Sequence, residues 1–297
     1  MASRKSIRLT ITADSDNGFD KWRSTAQRWC REVWQNLCTP LRLALQTHPL
    51  PGDDISELVA AGRIREAYPP LGSPFVTIAV EDDERHFAAR TLTERNLAAI
   101  ADDLRWASGV AITGGILEPS FLGRDPGWPR LYLTASRDYG ADQFTLGLLA
   151  SSDFLVPDAD GEARLLSVAR LFADGCNPTY GEAGPNHSAG PTGSTLEAKI
   201  GVNAEHSPTT GRTLLRGYSW LTLLPQEIGD RLGGVQALRD TGAFHDVSPL
   251  AAGGYWLQAT EHLRHYDNDS ARRVRDALSN AMPALYRHAL VGRTLEI

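Results

Sequence analysis

The chain is poor in the residues that stapled or redox-active proteins rely on. Three cysteines and two methionines occur in 297 residues. An odd number of thiols makes no disulfide framework. Cys30 and Cys38 would lie on one helix about 12 Å apart along its axis, too far to bridge each other. Cys176 stands alone in the second half, and the pattern suits a reducing compartment. No apolar run is long enough to span a bilayer. The opening MASRKSIRLTITADSD has basic residues but no apolar stretch behind them. No secretory signal is expected, and a cytoplasmic location is. The triplets at Asn186 and Asn268 that match a glycosylation acceptor are then coincidental.

Basic charge is also short. Lys and Arg total 30 against 36 Asp and Glu, a net charge of −6. Phosphate contacts need a basic footprint, so nucleic acid is not an expected partner. No P-loop lysine pattern, dinucleotide glycine fingerprint or nucleophile elbow occurs. The stretch GEAGPNHSAGPTG, residues 181–193, is glycine-rich but lacks the Gly-Lys-Ser/Thr ending of a phosphate cradle. It reads as a mobile surface loop. No catalytic residue is assigned, no cofactor is implied, and the chain reads as non-enzymatic.

What is present is ordinary globular material: 42% hydrophobic and 22% charged residues. The length allows a single α+β domain, in which residues 1–202 and 212–297 can form two lobes. Residues 6–13 alternate as a strand. Phe19, Trp22, Ala26, Trp29, Val33 and Leu37 then share one face of a long helix, which Pro40 ends or kinks. A short helical pattern spans 54–67. FVTIAV (75–80) reads as a strand, 92–107 as a helix, and 109–117 as a strand broken by a bulge or close approach at Gly114 and Gly115. Residues 131–138 and 143–150 pattern as a hairpin, and 162–175 as an amphipathic helix.

The C-terminal part is the most legible. GYSWLTLLPQEIGDRLGG (217–234) runs from a strand into a helix, with Pro225 suited to the first helical position. Gly233 and Gly234 cost helix propensity and mark either an early helix end or close packing. Residues 244–260 form a hairpin turning at Gly253-Gly254, and a last helix starts near Ser270, with Asp267, Asn268 or Asp269 as cap. The result is β-α-β-β-α, half of a ferredoxin-like unit. The fold class is α+β, a mainly antiparallel sheet with packed helices. Tyr218, Trp220 and Trp256 share a sheet face that the rest of the chain covers.

Candidate sites are few. His262 and His265 stand at i and i+3, with Asp267 behind them. That spacing would suit a metal, and hence a metal-dependent hydrolase, if the imidazoles converged. Cys176 and His187 form a weak nucleophile–base pairing across the loop. Glu81, Asp82, Asp83 and Glu84 are successive carboxylates after a strand, suited to docking a basic partner.

The segments WPRLYLTASRDYGADQFTLGLLA, ARLFADGCNPTYGE, GYSWLTLL, GGVQALRDTGAF and GGYWLQAT lie within residues 128–282. On these the chain resembles the α+β immunity proteins of bacterial polymorphic-toxin systems, a family found beside nuclease-like toxins or type VI secretion effectors. Its Pro-aromatic-Gly turn resembles NPTYG at 177–181, with Tyr180 as the aromatic. The resemblance implies a cytosolic, non-enzymatic antitoxin that binds a cognate toxin and blocks its active site. It carries over no catalytic residue.

Overall fold

The computed structural model describes residues 6–15, 18–47, 54–61, 63, 74–82, 86–116, 129–138, 142–151, 160–186, 194, 196–197, 210–284 and 286. The fold is α+β: ten strands, antiparallel in every register described, and eight helices among the described residues. No helix of the described residues is long and apolar enough to cross a membrane. The chain divides into two compact units, one of residues 1–4, 15–138 and 146–168, the other of 5–14, 139–145 and 169–297.

The first unit is built on α1 (Gly18–Leu37), the helix that the apolar periodicity predicts. Trp22, Ala26, Trp29 and Val33 are at most 1% exposed. The indole N–H of Trp29 donates to the Thr134 carbonyl at 2.9 Å, so even the polar atom of this core side chain is matched. Pro40 neither ends nor kinks α1. The helix stops at Leu37, and Pro40 sits in the first turn of α2 (Thr39–Gln46), where a missing N–H costs nothing. Next comes α3 (Ser56–Ala60), of the 54–67 pattern; residues 64–67 lie outside the described residues. Four strands follow: β2 (Pro74–Glu81), β3 (Phe87–Thr91), β4 (Gly109–Ile116) and β5 (Pro129–Asp138), then β6 (Gln143–Ser151), which joins this unit from Leu146. Between β3 and β4 runs α4 (Glu94–Asp103), whose Thr93 hydroxyl accepts from the Asn96 amide at 3.0 Å. Strand order is β3-β2-β4-β5-β6. The predicted bulge is present: the β4–β5 register shifts between Gly114 and Gly115. A Cβ on Gly114 would lie 2.6 Å from Leu41 Cδ2, so helix α2 presses on the strand there.

The second unit orders its strands β1-β7-β8-β10-β9. These are β1 (Ser6–Asp14), β7 (Pro178–Pro185), β8 (Leu221–Leu224), β9 (Asp246–Pro249) and β10 (Tyr255–Gln258). Helix α5 (Gly161–Ala173) precedes β7 and enters this unit at Ala169. The sequence expectation fails at β7. Residues 181–185, expected to open a mobile loop, are the second half of a strand that pairs with β1 throughout and with β8 at 181–183, and 178–181 is strand rather than a turn. Residues 187–193 lie outside the described residues. Glycine is tolerated here for packing: a Cβ on Gly181 would lie 2.6 Å from Leu223 Cδ1. Pro178 and Pro185 stand at the two strand ends, where proline interrupts least.

Beyond β8, Pro225 caps rather than begins α6 (Gln226–Arg231), with ψ 149°. Gly233, at φ +94°, separates it from α7 (Gly234–Asp240). Two further glycines at positive φ, Gly253 and Gly254, turn the β9–β10 hairpin as predicted. Asp267 caps α8 (Asn268–Leu278). The order β8-β10-β9, with β10 antiparallel to both neighbours, is that of half a ferredoxin-like sheet. Trp220 and Trp256 are both buried but do not share a face: Trp256 stands opposite Leu223, whereas Trp220 falls on the alternation of Thr222 and its carbonyl takes the Ala259 amide. The Trp220 indole donates to the Thr260 carbonyl at 2.8 Å.

Two glycines separate backbone strain from steric exclusion. Gly242, at φ +66°, has open space where a Cβ would go; at Gly254, φ +96°, a Cβ would meet the Leu224 carbonyl oxygen at 2.6 Å. Gly242→Ala is expected to cost about 1 kcal/mol, the left-handed penalty alone. Gly254→Ala costs at least about 2 kcal/mol more, because the obstacle is backbone. Urea unfolding of both variants checks the order, and equal losses would show that the hairpin relaxes around the added methyl.

Candidate functional site

The β1–β7 register sets Arg8 opposite Gly184, Thr10 opposite Glu182 and Thr12 opposite Tyr180. One face of this pair is therefore polar, and the other carries Ile7, Leu9 and Ile11; both are buried. Over the polar face sits an ion pair, Arg216 Nε to Glu197 Oε1 at 3.4 Å, with side chains 3% and 1% exposed. Glu197 also accepts from the Ser194 amide at 2.6 Å and from the Tyr286 hydroxyl at 3.0 Å. The Arg216 guanidinium lies over the Tyr180 ring, 4.7 Å from its centroid. Burial, and then the charge of Glu182, push the Tyr180 phenol well above its ordinary range. A phenol held neutral is no general base at neutral pH. The cluster's ordered chemistry is retention: it fixes Ser194, Glu197, Arg216 and Tyr286 to the strands. Nothing in the sequence pointed to it, since Glu197 and Tyr286 are 89 residues apart.

The predicted nucleophile and metal residues come out as follows. His187 lies outside the described residues. Cys176 is buried, with its sulfur 3.6 Å from the Phe172 carbonyl. All three cysteines are free and buried. Burial pushes the Cys30 thiol up to about 12 and raises that of Cys38 as well. Low reactivity follows, because the thiolate is the nucleophile. The rings of His262 and His265 do approach, 5.5 Å between centroids in an edge-on contact. Asp267 does not join them. Its carboxylate caps α8, accepting from the amide and hydroxyl of Ser270 at 2.9 and 2.8 Å, and these bonds hold it below the usual carboxylate range. Among the described residues no group of three or more His, Cys, Asp or Glu is placed to hold a metal ion.

The acidic stretch has a defined geometry at its start. Glu81 ends β2 and is exposed. Asp82 closes the turn to β3: its carboxylate accepts from the His86 amide at 2.8 Å and contacts His86 Nδ1 at 2.6 Å. Asp83 and Glu84 lie outside the described residues. Two large apolar side chains are exposed nearby. Phe87 stands directly opposite Glu81 across the β2–β3 register and is 38% exposed; Trp106 is 42% exposed, two residues before Ser108, whose amide donates to the Glu81 carbonyl. Sequence reading found the acids but not the aromatics, because β3 was not recognised as a strand. Glu81 therefore stands beside exposed aromatic area.

Two outcomes test the buried groups. Glu197→Ala removes the carboxylate that Arg216, Ser194 and Tyr286 share and is expected to destabilise by about 3–5 kcal/mol. Tyr286→Phe removes one hydrogen bond to that carboxylate and costs about 1 kcal/mol. Denaturant unfolding measures both, and a Glu197→Ala loss below about 1 kcal/mol would show that the pair does not hold the covering segments. The thiols predict an alkaline trend. An unfolded thiol titrates near about 8.5, whereas native Cys30 is held at about 12. The unfolded chain then gives up this proton first, so stability is full below the unfolded value and falls as pH rises toward the folded one. Cys30→Ala should flatten the decline in denaturation midpoint between pH 8 and 10, roughly either side of the unfolded thiol value.

No protein-family model matches the chain, and no curated protein matches it. Among solved structures it is similar to the Pseudomonas aeruginosa T6SS protein PA0821, at 14% identity and a TM-score of 0.57, over 94% of this chain and 73% of that one. At that identity the likeness is one of fold.

Proposed function

We propose that this chain is an immunity protein of a type VI secretion system, a cytoplasmic binding protein that neutralises a cognate toxin. The observation that carries this reading is the fold likeness to a T6SS protein across 94% of the chain. It agrees with the sequence resemblance to polymorphic-toxin immunity proteins, which was drawn from residues 128–282 alone. The site chemistry is compatible: the buried titratable groups hold one another in place, and the exposed acidic and aromatic groups offer a contact surface. A net charge of −6 favours encounter with a basic toxin such as a nuclease.

The test is co-expression. The product of the adjacent gene is expressed alone and then with this chain, followed by a pull-down. Relief of toxicity through a stable complex is expected. Full toxicity in the presence of folded chain, with no complex, would sink the reading. Replacing Glu81, Asp82, Asp83 and Glu84 together by lysine is expected to weaken the complex by at least about tenfold, near 1.4 kcal/mol. The variant should also lose much of the salt dependence of association. Unchanged affinity and salt response would remove the acidic stretch from the interface.

A further inference from the structure

The two faces of the first unit's sheet are not alike. On β5, Leu131, Leu133 and Ala135 are at most 1% exposed, as are Val110 and Ile112 of β4 to within 3%. The alternate residues of β5 point the other way: Tyr132 is 38% exposed, Thr134 is partly exposed and Ser136 is exposed. Register places Thr113 opposite Tyr132, Ala111 opposite Thr134 and Gly109 opposite Ser136. The Thr134 hydroxyl leans over the next strand, since a Cβ on Gly147 would lie 2.5 Å from its Oγ1. Helix α3 covers this face at its β2–β3 end, where Ile55 packs with Phe75, Ala89 and Ala79. Over β4 and β5 the same face leaves Ala111, Thr113 and Thr134 half-buried and Tyr132 and Ser136 exposed.

A solvated antiparallel face ordinarily alternates apolar inside with charged or long polar groups outside. Here the outward positions paired between β4 and β5 are Gly109, Ala111, Thr113, Tyr132, Thr134 and Ser136, and none of these six carries a charge. The next residue of β5 on this alternation, Asp138, is exposed and acidic, and stands toward the Gly109 end. Glu81 is paired with Gly109, and its Cγ lies 3.8 Å from where a Cβ on that glycine would be. Burial, and then the charge of Glu81, push the Tyr132 phenol above its ordinary range. An uncharged, partly exposed centre with an aromatic anchor and an acidic edge has the anatomy of a protein interface.

We infer that the β4–β5 face is where a basic protein partner docks, with Tyr132 as the central anchor and Glu81 at the acidic rim. The inference rests on the immunity reading and gives that reading its surface: the partner lies across the strands and is not confined to the acidic turn.

The experiment uses the full chain and the product of the adjacent gene. Binding is measured for the wild type and for Tyr132→Ala, Ser136→Arg and Ser136→Glu, with thermal melts to confirm folding. Tyr132→Ala and Ser136→Arg are each expected to weaken the complex at least about tenfold, and Ser136→Glu less than Ser136→Arg. Amide exchange on the wild-type complex reads the same surface without a variant, and should protect residues 109–113 and 131–136. Folded variants that bind within about twofold of wild type, with protection elsewhere, would overturn the surface while the immunity reading stands. A wild-type chain that binds nothing defeats the immunity reading and this surface with it. A free chain that is dimeric, and monomeric as Ser136→Arg, would assign the face to a second copy and overturn the proposal.

Discussion

The pairing of β1 with β7 is the constraint on which the second unit depends. It joins residues 7–13 to residues 178–185, at opposite ends of a long stretch of chain. Closing a loop of some 170 residues costs about 4.5 kcal/mol of chain entropy beyond a constant. Burial of Ile7, Leu9 and Ile11, each at most 2% exposed, offsets that cost at about 1.5–3 kcal/mol per side chain. The Thr179 hydroxyl, donating to the Thr12 carbonyl at 3.2 Å, adds a matched polar contact at the far end. Without β1 in place, β7 would lose the neighbour that makes a strand of a glycine- and proline-rich sequence.

That pairing also explains why charged residues lie inside the second unit. A strand alternates faces, so burying both sides of β1 takes Arg8, Thr10 and Thr12 out of water together with Ile7, Leu9 and Ile11. Arg8 Nε donates to Thr10 Oγ1 at 3.0 Å, and the Thr12 hydroxyl meets that of Thr145 at 3.1 Å. At the end of β1, Asp14 accepts from Gln143 at 3.0 Å and from Arg212, which also reaches Glu227 at 3.1 Å and the Asn177 carbonyl at 3.3 Å. Buried polar groups are tolerable only when matched, and the matches at Thr12 and Asp14 tie distant segments to the strand. The edge of this sheet is handled similarly. The outer strand β9 has its Val247 carbonyl bonded by Arg239 and its Pro249 carbonyl by Arg170, which blunts pairing with a further strand.

Much of the secondary structure was legible because its signals are local. The stripe from Trp22 to Leu37 has helical period, Asp267 is a side-chain cap, and Gly253-Gly254 can supply positive φ where an ordinary residue is strained. The C-terminal β-α-β-β-α was readable for the same reason, down to the antiparallel order that half a ferredoxin-like unit requires. Reading failed where local preference and tertiary need disagreed. PTYGEAGP has the composition of a turn and the position of a central strand. FAART is short and mixed, and becomes β3 through its partner β2 and the contact of Ile55 with Ala89. Of the candidate residues, the acidic run was visible as composition. The neighbouring Phe87 and Trp106 were not, because exposure depends on what the fold leaves uncovered.

By itself, then, the sequence determined the α+β class, the helices with a clear apolar stripe, the hairpin glycines and the acidic balance. Each is set by steric and hydrophobic preferences acting within a few residues. The tertiary structure alone decided that residues 181–185 are strand and that Glu197, Arg216 and Tyr286 meet. It also decided which side of β5 leaves Tyr132 and Ser136 exposed. These outcomes turn on which distant segments exclude water from a given side chain, and no local pattern encodes that.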